Sequence, residues 1–179
     1  MNTILLIPTG EGVGLTSACL GMIYALDCKG INAGFLKPFS QIADTTVDRT
    51  TTLYRHLFHR RSVEPITYER LTQLIALGET DELLEEAVAL HRQIAVNHDV
   101  IIVEGLVPNG QDHFASEINA ALAQALDRGE LCHRFHEFGL SLGVVQTTAL
   151  VFHCLFGLLL GFQRFCFVHC HQDPHPFPT

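Results

Sequence analysis

The chain has 179 residues, a formal net charge of -8 and 17% charged residues, which fits one domain with a real core and offers no basic stripe to neutralise a nucleic-acid backbone. Its six cysteines do not signal a secreted disulfide framework, because the opening MNTILLIP is too short for a signal peptide. Reduced thiols, a cytoplasmic location and small-molecule, cationic or protein partners are the expectations.

In chain order, TILLIP at residues 3–8 is a brief, fully apolar run closed by proline, as in a buried parallel strand. TGEGVG follows, and then Leu15, Ala18, Cys19, Met22, Ile23 and Leu26 recur at helical spacing up to a stop at Gly30. INAGFLKP, residues 31–38, reads as a second strand. The opening is thus a βαβ unit and the fold class α/β. DRTTTLYRHLFH carries Leu53, Leu57 and Phe58 on one side and reads as a helix despite its threonines. The segment TYERLTQLIALG ends at Gly78. Residues 80–96 form the clearest helix, with Leu83, Leu84, Ala87, Val88, Leu90 and Ile94 on its apolar face and Asp81, Glu82, Glu85 and Glu86 as a solvated face near its positive end. DVIIVEG at 99–105 is a buried strand ending in a carboxylate, and residues 112–127 close this part as an amphipathic helix.

The glycine loop carries the chemistry. Gly10, Gly12 and Gly14 let backbone N–H groups turn toward an anion at the head of a helix, and Thr16 stands where a hydroxyl would reach magnesium. The phosphate-loop pattern fails twice, with Thr9 at its first glycine and Leu15 at its lysine. Without that lysine, phosphoryl transfer loses the point charge that stabilises it, so binding without hydrolysis is expected. A tight structural turn explains the glycines equally well. Lys37 and Glu104 each end a strand, and ligands of open α/β sheets collect at that rim; taken singly, each is more often a salt-bridged residue.

Four stretches, ILLIPTGEGVGLTS, GFLKPFSQ, DRTTTLYR and IIVEGLVPNGQDHFASEINAALAQAL, resemble the N-terminal domain of the long bacterial form of phosphate acetyltransferase, itself similar to dethiobiotin synthetase. The resemblance covers residues 1–127 and implies a three-layer, P-loop-like α/β domain with a mostly parallel sheet, incomplete at its C-terminal end. It implies a regulatory or oligomerisation module of an enzyme that converts acetyl-CoA and phosphate to acetyl phosphate and CoA, with the catalytic domain outside these residues and no catalytic residue within them. A homo-oligomer and a small-molecule effector follow from the same comparison. Thr9, Gly10, Gly12, Gly14, Thr16, Lys37 and Glu104 are the candidate contacts for a weakly bound nucleotide, ATP or NADH, with magnesium. The alternatives are an ATP-dependent ligase similar to dethiobiotin synthetase and a membrane-tethered interaction module.

Residues 128–179 resemble no part of that family. They hold eight of the twelve Phe, four of the six Cys and six of the eleven His. Three readings compete: translation in a shifted frame, which would make the chain a truncated one; a membrane segment over residues 138–163, which lack Asp, Glu, Lys and Arg; and a metal site drawn from Cys132, His133, His136, Cys166, His169, Cys170 and His171. The frame shift is the favoured reading, a membrane span and a metal site the lesser ones. A sheet stopped early exposes an apolar edge, which SLGVVQTTALVF, residues 141–152, is a candidate to cover.

Overall fold

The computed structural model describes residues 2–43, 47–108, 110, 114–127 and 165–171, the last stretch as backbone alone. The elements in order are β1 (Asn2–Pro8), α1 (Leu15–Asp27), β2 (Ala33–Leu36), α2 (Arg49–Phe58), α3 (Tyr68–Leu77), α4 (Thr80–Ala95), β3 (Val100–Glu104), α5 (Ala115–Asp127) and β4 (Phe165–His171). The sheet order is β2-β3-β1-β4. β3 lies between β1 and β2 and runs parallel to both, pairing Leu5 with Val103 and Phe35 with Ile102. The open, mostly parallel α/β sheet expected from the sequence is present.

Side-chain alternation sorts the core into two layers. Leu5, Leu36, Ile101 and Val103 pack with residues of α3, α4 and α5, including Leu71, Leu83 and Leu122. Their strand neighbours Leu6, Phe35 and Ile102 face the other way, onto Leu15, Cys19 and Ile23 of α1 and Tyr54 of α2. Glu104 has the parity of Ile102, so its carboxylate emerges on the side of α1 and α2, at the end where β1, β2 and β3 all finish. The acids of α4 behave as a surface face: Glu82 and Glu86 pair with Arg70 of α3.

β4 runs antiparallel along the outer edge of β1, from Asn2 opposite His171 to Pro8 opposite Phe165. The edge is therefore covered by residues 165–171, whereas residues 141–152, the segment expected there, lie outside the described residues. The possible membrane span at 138–163 and the ligand candidates Cys132, His133 and His136 also lie outside them, and β4, which carries Cys166, His169, Cys170 and His171, is described as backbone only. Among the described residues no helix is long and apolar enough to cross a membrane and no group of three or more His, Cys, Asp or Glu side chains is placed to hold a metal ion.

Two buried polar contacts tie helices to the sheet. Thr3 Oγ1 and His91 Nε2 share a hydrogen bond of 2.9 Å between β1 and α4. Asn119 of α5 acts as a substitute strand for the segment leaving β3: its Oδ1 accepts from Leu106 N and its Nδ2 donates to Leu106 O, both at 2.8 Å. Gly105 makes this approach possible, since a Cβ there would come within 2.9 Å of Asn119 Oδ1 and 3.0 Å of the Leu6 carbonyl.

Asn119→Ala leaves both backbone groups of Leu106 buried without partners, and the expected loss is about 3 kcal/mol in urea unfolding. A loss within experimental error would mean that the segment after β3 holds itself. His91 is depressed from 6.5 to about 4, first by burial and then by the charge of Arg92. The unfolded chain thus takes up the proton at a higher pH than the folded one. Stability contributed by neutral His91 is whole above 6.5 and is lost as pH falls toward 4. Across that window wild type should lose about 3 kcal/mol more than His91→Gln, read as the divergence of their urea midpoints; parallel midpoints would contradict the assignment.

Candidate functional site

The site grows from the three strand ends. Beyond β1, the chain passes Thr9 and Gly10 and turns through Gly12 and Gly14 at φ 67° and 79°, left-handed values that favour glycine. Gly14 is the N-cap of α1, and this helix has neither a side-chain cap nor an acid in its first turn. Its positive end is one that favours an anion. A Cβ at Gly10 or Gly12 would meet nothing within 4 Å among the described residues.

Leu15, the residue in the lysine's place, is buried at 5% exposure and packs with Leu6, Phe35 and Ile102 beneath α1. Where the phosphate-loop pattern has a cation, this loop has an apolar anchor. The next residue keeps its polar role: Thr16 Oγ1 lies 3.2 Å from Thr50 Oγ1, and the Thr50 hydroxyl donates to Glu104 Oε1 at 3.4 Å.

Lys37, the residue after β2, reaches across the same rim. Its Nζ stands 2.9 Å from Asp48 Oδ2 and 3.4 Å from Glu104 Oε1. The three side chains are only 12%, 1% and 5% exposed, respectively. Asp48 is also the N-cap of α2, where its Oδ1 accepts from Thr51 N at 3.0 Å. One carboxylate oxygen thus starts a helix while the other holds the lysine.

Burial pushes the Glu104 carboxyl above its ordinary value, against the pull of Lys37. Burial also opposes ionisation of Asp48, but hydrogen bonds from Lys37 and Thr51 outweigh it and leave this carboxyl below its ordinary value. For Lys37, the Glu104 charge and the Asp48 contacts overcome burial and raise the ammonium. One ammonium therefore faces two carboxylates, and Glu104 Oε2 is buried with no hydrogen-bond partner among the described residues. That orphaned oxygen, a second carboxylate and two hydroxyls are a hard, oxygen-rich donor set that fits a magnesium-like ion.

Of the candidates read from the sequence, the structure brings Thr16, Lys37 and Glu104 into one cluster and sets Gly12 and Gly14 in the turn that leads to it. Thr9 is exposed and Gly10 half-buried, both just beyond the end of β1. Sequence reasoning missed Asp48 and Thr50. An Asp immediately before a helix is a readable N-cap signal, but its partnership with Lys37 is visible only once β2 and α2 are placed.

The segment that follows Glu104 is held from a second side. Gln41 Oε1 accepts from Val107 N at 2.7 Å and Gln41 Nε2 donates to Val107 O at 2.9 Å. Two amide side chains, Asn119 and Gln41, therefore clamp consecutive residues next to the carboxylate.

Comparison with known proteins agrees with this architecture. Proteins named phosphate acetyltransferase match the N-terminal part of the chain: that of Acinetobacter baylyi is 72% identical over 127 residues, that of Haemophilus influenzae 42% over 128 and that of Escherichia coli 36% over 127. These matches take in 71%, 70% and 69% of this chain and 18% of each relative. The chain thus spans less than a fifth of the length of the relatives it matches. Residues 2–129 match the family model described as an AAA domain, and the chain belongs to that family.

Proposed function

We propose that residues 2–129 form a ligand-sensing, regulatory module of a cytoplasmic phosphate acetyltransferase, supporting its self-association and binding a nucleotide weakly without turning it over. The enzyme's own reaction, acetyl-CoA plus phosphate to acetyl phosphate plus CoA, belongs in this reading to the remaining length of the relatives. The observation that carries the proposal is the pairing of a glycine turn at an uncapped helix head with the buried cluster of Thr16, Thr50, Lys37, Asp48 and Glu104.

The loop supplies backbone donors and the positive end of α1 for a phosphate group. Asp48, Glu104 and Thr16 would hold a magnesium ion, which when bound offers charge for the outer phosphates. Turnover is not expected. Leu15 sits in the core, so the loop has no cation of its own for the charge that develops during phosphoryl transfer. The same fact disfavours an ATP-dependent ligase.

Calorimetry with ATP or NADH and magnesium should give a Kd of about 1 mM, equivalent to roughly 4 kcal/mol, for at least one of the two nucleotides. Thr16→Val should weaken this binding about fivefold, a loss of ~1 kcal/mol, with no change in the urea midpoint beyond error. Phosphate release from ATP should stay at background. No heat at millimolar ligand would sink the proposal, and release above background would reinstate the ligase.

A further inference from the structure

The lysine between the two carboxylates has a consequence for how a cation could enter. Asp48 Oδ2 and Glu104 Oε1 are both directed at Lys37 Nζ, from 2.9 and 3.4 Å, in surroundings nearly closed to water. Ammonium and divalent ion want the same oxygens, and two like charges between one pair of buried carboxylates repel strongly. Glu104 Oε2, buried and unpartnered among the described residues, shows that the ammonium leaves part of the donor set unused.

We propose that Lys37 is a built-in competitor for this site: its ammonium occupies the carboxylate pair when no divalent cation is present and is expelled when one binds. The stem of lysine is long and flexible, and Lys37 follows directly on the end of β2, at the rim where β1 and β3 also finish. Expulsion therefore turns a neutralised side chain into a free cation at the rim, in a loop that lacks one at Leu15. An anionic ligand gains its positive partner only after the cation has arrived, so the two bind with positive coupling. The inference rests on the cation-assisted nucleotide reading above, but it is tested without nucleotide.

The sequence contains two lysines, Lys29 and Lys37, and Lys29 is exposed, so amine acetylation read by peptide mass spectrometry carries its own internal standard. On the full chain, millimolar Mn2+ should raise labelling of Lys37 relative to Lys29 about fivefold or more. In parallel, electron paramagnetic resonance titration should show Mn2+ bound about tenfold more tightly by Lys37→Gln than by wild type, a competition effect of ~1.4 kcal/mol. Lys29→Gln should not alter the affinity. Mn2+ that binds wild type while Lys37 labelling stays unchanged would overturn the exchange and leave the nucleotide reading to its own calorimetry. Failure of both wild type and Lys37→Gln to bind Mn2+ would overturn it as well. If only Lys37→Gln binds the ion, the ammonium is not expelled in the wild type, and the exchange is overturned in the same way. Should that variant fail to fold by circular dichroism, the labelling arm on wild type decides alone.

Discussion

The arrangement of the site depends on one buried charge constraint: two carboxylates, Asp48 and Glu104, share a single ammonium, Lys37. Each comes from a different element, Lys37 from the end of β2, Asp48 from the head of α2 and Glu104 from the end of β3. Their meeting requires β3 to insert between β1 and β2, which brings all three parallel strand ends to one rim. A buried ion cluster of this kind is weak evidence for stability, because desolvation offsets much of the attraction. It is better understood as a feature of position, linking the start of α2 and the end of β3 to the loop through Thr50 and Thr16.

Around that cluster the fold supplies rigidity on one side and uncrowded glycines on the other. Asn119 and Gln41 present amides in place of a neighbouring strand and fix Leu106 and Val107, which follow Glu104 after Gly105. Leu15 anchors the start of α1 in the apolar layer with Leu6 and Ile102. Over the loop, by contrast, a Cβ at Gly10 or Gly12 would meet no atom of the described residues within 4 Å. The segment after the carboxylate is thus held by side-chain amides, while the described residues leave the loop glycines uncrowded. A core leucine where the phosphate-loop pattern has lysine fits this division: the helix has an anchor, and Lys37 supplies positive charge at the rim.

Much of this was legible in the sequence because the signals are local. Apolar runs closed by Pro8 and Glu104, helical spacing after Leu15 and the glycine series needed no tertiary knowledge, and they placed β1, α1, β3 and three cluster members. What escaped was long-range. Asp48 and Thr50 lie in a threonine-rich stretch whose helical signal hides a polar end, and Asn119 sits among the apolar positions of α5, where only the backbone of Leu106 explains it. His91 falls on the buried side of α4 and finds its partner 88 residues away, in Thr3. The pairing of β4 with β1 could not be read either, because antiparallel register along an edge leaves no periodic mark that singles out residues 165–171 over other apolar runs near them.

The central claim, that the glycine turn and the ion cluster are one ligand site, is tested most directly by following backbone amide shifts of isotopically labelled protein during titration with ATP and magnesium. The account predicts shifts concentrated at Gly10, Gly12, Gly14, Thr16, Asp48 and Glu104, all saturating along one binding curve. Shifts scattered over α3 and α4, or absent from the loop while the cluster responds, would contradict it.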